Sequence, residues 1–172
     1  MTQTLFPLGH WLVTQDGNVE AFKIFQRHYS YHEYADGRRR IPNNPNRHLF
    51  VGPGEKLVLV SPDYKALFVW RKFIDDSGQK GINCAVFRNE GGTLSSELIR
   101  AAEEIALLKW PAPQRFYTYV NAERIRSVNP GACFQKAGWV KCGKTKGGLI
   151  ILEKEYPSLC KTARRSHAIL DD

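Results

Sequence analysis

Apolar positions along the chain fall into helical and alternating patterns that predict most of its elements. Val19, Phe22, Phe25 and Tyr29 recur at helical spacing and predict a first helix over 17–29, ending at His28-Tyr29-Ser30. The polar stretch that follows, 31–54, is rich in Arg, Asn and Pro; at that length it is either a functional loop or a disordered one. Three strand-like runs come next, over 56–61, 66–73 and 82–88. Pro62-Asp63 and Asp75-Asp76-Ser77-Gly78 supply the turns of an antiparallel meander. After Arg88-Asn89-Glu90-Gly91-Gly92-Thr93 an amphipathic helix is predicted, with Leu94, Leu98, Ala101, Ile105 and Leu108 on one face and Pro111 as its stop. A strand over 115–120 precedes a short helix that Asn129-Pro130 opens with a side-chain cap and Gly138 closes. Strands over 139–143 and 148–153 make a hairpin around Lys144-Thr145-Lys146-Gly147. Residues beyond Tyr156 read as a peripheral tail, 157–172. This order predicts an α/β fold: one mixed, mainly antiparallel sheet flanked by helices.

Composition narrows the function classes. With 172 residues, 42% hydrophobic and 24% charged, the chain suits one domain with an ordinary core, and wholesale disorder is excluded. No apolar run approaches the roughly 18 residues of a membrane span. Residues 1–12 carry neither a basic n-region nor an h-region, so a cytoplasmic location without a membrane partner is expected. Cys84, Cys133, Cys142 and Cys160 form no CxxC pair, which leaves zinc-ribbon and thioredoxin chemistry without support. Cys84 lies in an apolar strand and reads as a small buried hydrophobe.

Charge adds a partner class. The net charge is +8, and the segment 109–146 holds eight Lys and Arg residues against Glu123 alone. A second basic stretch, Arg38-Arg39-Arg40 with Arg47, sits beside Asp36. A phosphate-bearing partner, either DNA or a nucleotide cofactor, accounts for both; a solvated surface is the plainer alternative. The strand–helix junction at 88–96 suits a pyrophosphate. Gly91 and Gly92 permit close backbone approach, the helix start offers N–H groups, and Ser95, Ser96 and Arg88 add donors.

The order of elements over 19–153 resembles the GNAT acetyltransferase superfamily. The best local match is Asn129-Pro130-Gly131-Ala132-Cys133-Phe134-Gln135-Lys136-Ala137-Gly138-Trp139, which is similar to that superfamily's late helix. The resemblance implies a GNAT-like transferase domain over 1–156 that binds acetyl-CoA. Its cofactor residues would be Arg88, Gly91, Gly92, Ser95, Ser96, Asn129, Cys133 and Phe134. Two departures stand out. Arg88-Asn89-Glu90-Gly91-Gly92-Thr93 is a loose form of the family's phosphate loop, with Glu90 an unhelpful charge. Phe134 stands where many members carry a proton-donating Tyr, which leaves Tyr117, Tyr119 and Cys133 as candidate donors.

Within that superfamily the chain resembles the phage Mom DNA-modification proteins. The match lies in His28-Tyr29-Ser30 before a basic loop, Phe68-Val69-Trp70-Arg71, and Gly131-x-Cys133-Phe134 through Ala137-Gly138-Trp139. It implies an enzyme that builds an acetamido group on adenine N6 in double-stranded DNA, with the base extruded, and so protects the DNA from restriction. A phage-encoded chain would act in the host cytoplasm. The implied active-site residues are His28, Tyr29, Ser30, Arg71, Ser95 and Tyr119. His28 suits a general base, because an ordinary imidazole titrates near neutrality. Arg38, Arg39, Arg40, Arg47 and His48 would hold the nucleic acid, with Tyr31, Tyr34 and His48 stacking on the base. Mom proteins also bring a proposed iron requirement. Here only His28 and His32, at i and i+4, offer ligands, so no metal site is assigned. Two other functions fit the sequence. One is an N-acetyltransferase for a small amine, a hypermodified base or a protein, drawing on Glu33, Asp36, Asp75 and Asp76 for an acidic pocket. The other is a non-catalytic DNA-binding module that has lost the cofactor.

Overall fold

The computed structural model describes residues 9–33, 35–36, 46–74, 76 and 78–156. Tyr34, Arg38, Arg39, Arg40, Asp75 and the 157–172 tail lie outside the described residues. Seven strands form one open sheet: β1 (Leu12–Thr14), β2 (Glu55–Val60), β3 (Ala66–Lys72), β4 (Ile82–Asn89), β5 (Arg115–Val120), β6 (Val140–Lys144) and β7 (Ile150–Glu155). They lie in the order β1-β2-β3-β4-β5-β7-β6, antiparallel everywhere except between β4 and β5. Among the described residues there are three helices: α1 (Val19–Gln26), α2 (Ser95–Lys109) and α3 (Ala132–Lys136). The fold is therefore mixed α/β, with a mostly antiparallel sheet and sparse helical cover. No described helix is long and apolar enough to cross a membrane.

Apolar clusters lie on both faces of the sheet at β3, which is buried from Ala66 to Trp70. On β3, Ala66, Phe68 and Trp70 pack toward α2 and α3, whereas Leu67 and Val69 pack toward α1. Such a strand reads as a continuous apolar run because neither side meets water. Leu57 and Leu59 of β2 join the first cluster, and Val58 and Val60 join the second.

Local chemistry sets the helix ends. Asn18 caps α1 by accepting a hydrogen bond from the Ala21 N–H at 3.0 Å, so the helix starts at Val19 rather than 17. Arg27 closes it, which places His28, Tyr29 and Ser30 beyond the helix instead of in its last turn. Gly138, at φ 95°, ends the α3 segment as expected. Asn129 does not cap α3 with its side chain: Gly131 holds the cap position, and the Asn129 amide group instead donates to Gln135 Oε1 and accepts from Lys141 Nζ.

The buried face of α2 is rotated from the predicted one. Leu98, Ile99, Ala102, Glu103, Ile105 and Ala106 face the sheet, while Leu94 and Leu108 are exposed. Leu94 is the N-cap, with extended backbone, and so is not part of the helical stripe. Glu103 hides the true stripe from a hydrophobic count. Its carboxylate is buried because it accepts from Trp139 Nε1 at 2.6 Å, Lys154 Nζ at 2.7 Å and Tyr156 Oη at 2.9 Å. Two more indoles hold the same helix: Trp11 Nε1 donates to the Leu98 carbonyl and Trp70 Nε1 to the Ala102 carbonyl, each at 2.9 Å.

Candidate active site

The one parallel pair among the described residues decides where a site can form. The β4–β5 ladder has three pairs: Ile82 with Phe116, Asn83 with Tyr117 and Cys84 with Thr118. Thr118 Oγ1 donates to the Cys84 carbonyl at 3.0 Å and closes it. Beyond that point β4 stays paired with β3 and β5 with β7, and among the described residues no ladder pair joins β4 to β5. The sheet is split at the carboxyl ends of two parallel strands, the position where open α/β sheets accept ligands. A cavity of about 460 Å³ lies at this split, lined by Ala85 and Phe87 of β4 and by Tyr119 and Val120 of β5.

His28 and Tyr29 span the split. Ser30 donates its backbone N–H to His28 Nδ1 at 3.2 Å, and Ser30 Oγ lies 2.7 Å from the same atom. Nδ1 is thus the acceptor, which leaves Nε2 as the N–H that meets the Phe87 carbonyl on the open edge of β4. On the other side, Tyr29 meets the Asn121 backbone amide just past β5. Burial first, and then the Arg88 guanidinium, lower the His28 pKa from 6.5 to about 4. The imidazole is therefore neutral at neutral pH. Burial pushes the Tyr29 hydroxyl up, so it keeps its proton. Cys133, also on the cavity wall, is raised by burial as well and stays a thiol.

The remaining walls come from α2 and α3. Ser95 and Ser96 open α2 into the cavity, and Leu94 ahead of them supplies no side-chain cap. A 15-residue helix thus presents first-turn N–H groups and the positive end of its dipole there. Asn89 orders the turn, donating to the Thr93 carbonyl at 2.7 Å and to Ser95 Oγ at 3.0 Å, and accepting from the Gly91 N–H at 3.0 Å. Glu90 is less adverse to an anion than its sequence position suggests. Its carboxylate is held by Arg27 Nε at 2.8 Å and Arg88 Nε at 2.6 Å, and these partners keep it well below the usual carboxylate range. Asn129, Cys133, Phe134 and Lys136 complete the far wall. Among the described residues no Asp or Glu lines this cavity.

Of the residues predicted from sequence, the fold gathers His28, Tyr29, Ser95, Ser96, Tyr119, Asn129, Cys133 and Phe134 around one space. Ser30 is exposed at its edge, and Arg88 acts on it through His28 and Glu90. Gly91 and Gly92 do not line it; they border a second cavity of about 200 Å³ with His10, Ser61 and Asp63. Arg71 does not belong to the site either. It pairs in register with Lys56 and Asn83, at the opposite end of the sheet, where its guanidinium stacks 3.5 Å over the Phe73 ring and donates to the Pro53 carbonyl. Tyr31 and His48 are edge-on to Phe22 in the aromatic packing around α1, and neither lines the cavity. Arg47 is exposed beside His48 in this same region. Because α1 ends before His28, His28 and His32 share no helix face. Among the described residues no group of three His, Cys, Asp or Glu side chains is placed to hold a metal ion.

Sequence reasoning missed the Asn121 amide, Thr118 and Cys84, which form the base and lip of the split. Strand–helix–strand over 82–120 was the available signal, since a parallel pair requires a crossover of this kind. Comparison with protein families, curated proteins and solved structures finds no match to this chain.

Proposed function

We propose that this chain is a coenzyme A-dependent transferase of GNAT type that modifies adenine in DNA, as its resemblance to the Mom proteins implies. The observation that carries this is the split between β4 and β5, spanned by His28 and Tyr29 and facing the uncapped start of α2. The residues fit coenzyme A: Ser95, Ser96 and the first-turn N–H groups of α2 would hold its pyrophosphate, with Arg88 in reserve behind Glu90. Coenzyme A supplies an acyl group activated as a thioester.

The chain's own groups account for the rest. His28 is neutral and oriented by the Phe87 carbonyl, and Ser30 Oγ covers its free nitrogen. A proton leaving an acceptor amine therefore reaches Nδ1 through the Ser30 hydroxyl. Tyr29, kept protonated by burial, is the donor that Phe134 cannot be. With no carboxylate among its described lining residues, the cavity offers an alkylammonium ion no counter-charge, whereas the neutral exocyclic amine of a nucleobase needs none. This favours adenine over a small-amine substrate. Such an amine is a weak nucleophile, so positioning against the acyl donor contributes most of the rate.

The test is mass spectrometry of nucleosides from plasmid DNA of cells expressing the chain or its His28→Ala variant. A modified deoxyadenosine in the wild-type sample alone is expected, its mass identifying the added group. Unmodified DNA with confirmed expression would overturn adenine as acceptor, and an acetyl-CoA titration without binding would leave a non-catalytic module.

A further inference from the structure

The basic segment that dominates the net charge acquires a location in the fold. β5 and β7 pair Val120 with Ile150, so the β6–β7 hairpin tip lies beside the carboxyl end of β5, at the cavity end of the sheet. On β6 a bulge intervenes: Lys141 pairs with Leu152, Gly143 with Ile151 and Lys144 with Ile150, leaving Cys142 as the extra residue. In a regular strand, residues three apart face opposite sides. Here the bulge puts Lys141 and Lys144 on the same face as Leu152 and Ile150, which is the face that α2 and α3 cover.

Contacts connect this face to the cavity mouth. Lys141 Nζ lies 3.3 Å from Asn129 Oδ1, a cavity residue, and Lys136 lines the cavity itself. In the loop between β5 and α3, Arg124 donates to the Tyr29 carbonyl at 3.2 Å, and Arg126 stands two residues further. Lys146 occupies the hairpin tip. All six cations are exposed, and among the described residues none is ion-paired. Lys23, Arg27, Lys56, Arg115 and Lys154, by contrast, each hold a carboxylate. Glu123 is the one acid in the segment 109–146. Six unpaired like charges around one opening repel one another, and a polyanion lying across it removes that cost.

We infer that Arg124, Arg126, Lys136, Lys141, Lys144 and Lys146 form the DNA-docking rim of the cavity, gripping phosphates while the base is presented to His28. This rests on the reading that DNA is the substrate. It assigns phosphate binding to the β5–α3 loop and the bulged hairpin, not to Arg47, whose neighbour His48 packs on Phe22 of α1.

The test is fluorescence anisotropy of a labelled DNA duplex against salt, with wild-type protein, Lys141→Gln/Lys144→Gln/Lys146→Gln and Arg47→Gln. Three lost phosphate contacts should lower the slope of log K against log salt by roughly 2–3 and weaken binding at low salt by about tenfold or more. Arg47→Gln should bind like wild type. Because all three lysines are exposed, the variant is expected to fold, and its circular dichroism checks that. If wild type binds DNA while the triple variant keeps its affinity and slope, the rim is wrong and the DNA reading stands. If wild type ignores DNA but binds phosphatidylserine vesicles, the rim serves a membrane surface and both are overturned. Binding to neither overturns both as well.

Discussion

Folding changes the environment of His28 strongly. Its pKa falls from 6.5 to about 4 because burial and the Arg88 charge both oppose the imidazolium. As pH drops through 6.5 the unfolded chain takes up this proton, while the folded chain resists until about 4. Stability is therefore complete above pH 6.5, declines between there and pH 4, and stops declining from this cause below. A shift of this size is worth roughly 3 kcal/mol across the window. Urea unfolding at pH 7 and pH 4.5 should show that loss in the wild type and largely not in His28→Gln. An equal decline in both would mean that other groups set the acid limit. In turnover, the acid limb governed by His28 should lie nearer pH 4 than 6.5, so activity persists where an ordinary histidine would be charged.

Strands and turns were legible in the sequence because β-branched and aromatic runs bounded by Pro, Gly and Asp leave little ambiguity; six of the seven strands match within about two residues. β1 escaped because three half-buried residues make no period. The α2 stripe was misread because a buried carboxylate looks polar from sequence, and Arg71 was misplaced because a short motif carries no position along a strand. The cavity itself depends on where a ladder stops, which is a property of packed elements rather than of any one of them. Glu103 states the same point energetically. It ties α2 to Trp139, Lys154 and Tyr156, so Glu103→Leu would deprive a half-buried lysine of its carboxylate and two further donors of their acceptor. A cost of roughly 3 kcal/mol or more is expected for breaking such a pair from one side. Thermal denaturation would check it; a loss under about 1 kcal/mol would mean that water replaces the carboxylate.

At the scale of the molecule, one polar axis orders the described residues: the cavity, the start of α2 and the cations of the 124–146 segment share one end of the sheet, and Arg71 with its cation–π contact marks the other. The frame that keeps α2 in place is largely indole. All four tryptophans are buried, Trp11, Trp70 and Trp139 hydrogen-bond to α2, and Trp70 and Trp139 stack at 6.2 Å with their planes 18° apart. That frame is also a built-in optical gauge. Dry indoles emit toward the blue, and two stacked indoles couple their transitions into a paired circular-dichroism band. Trp70→Phe or Trp139→Phe should each abolish the whole band rather than half of it. Any event that unseats α2 should shift the ultraviolet emission and this band together, without a label.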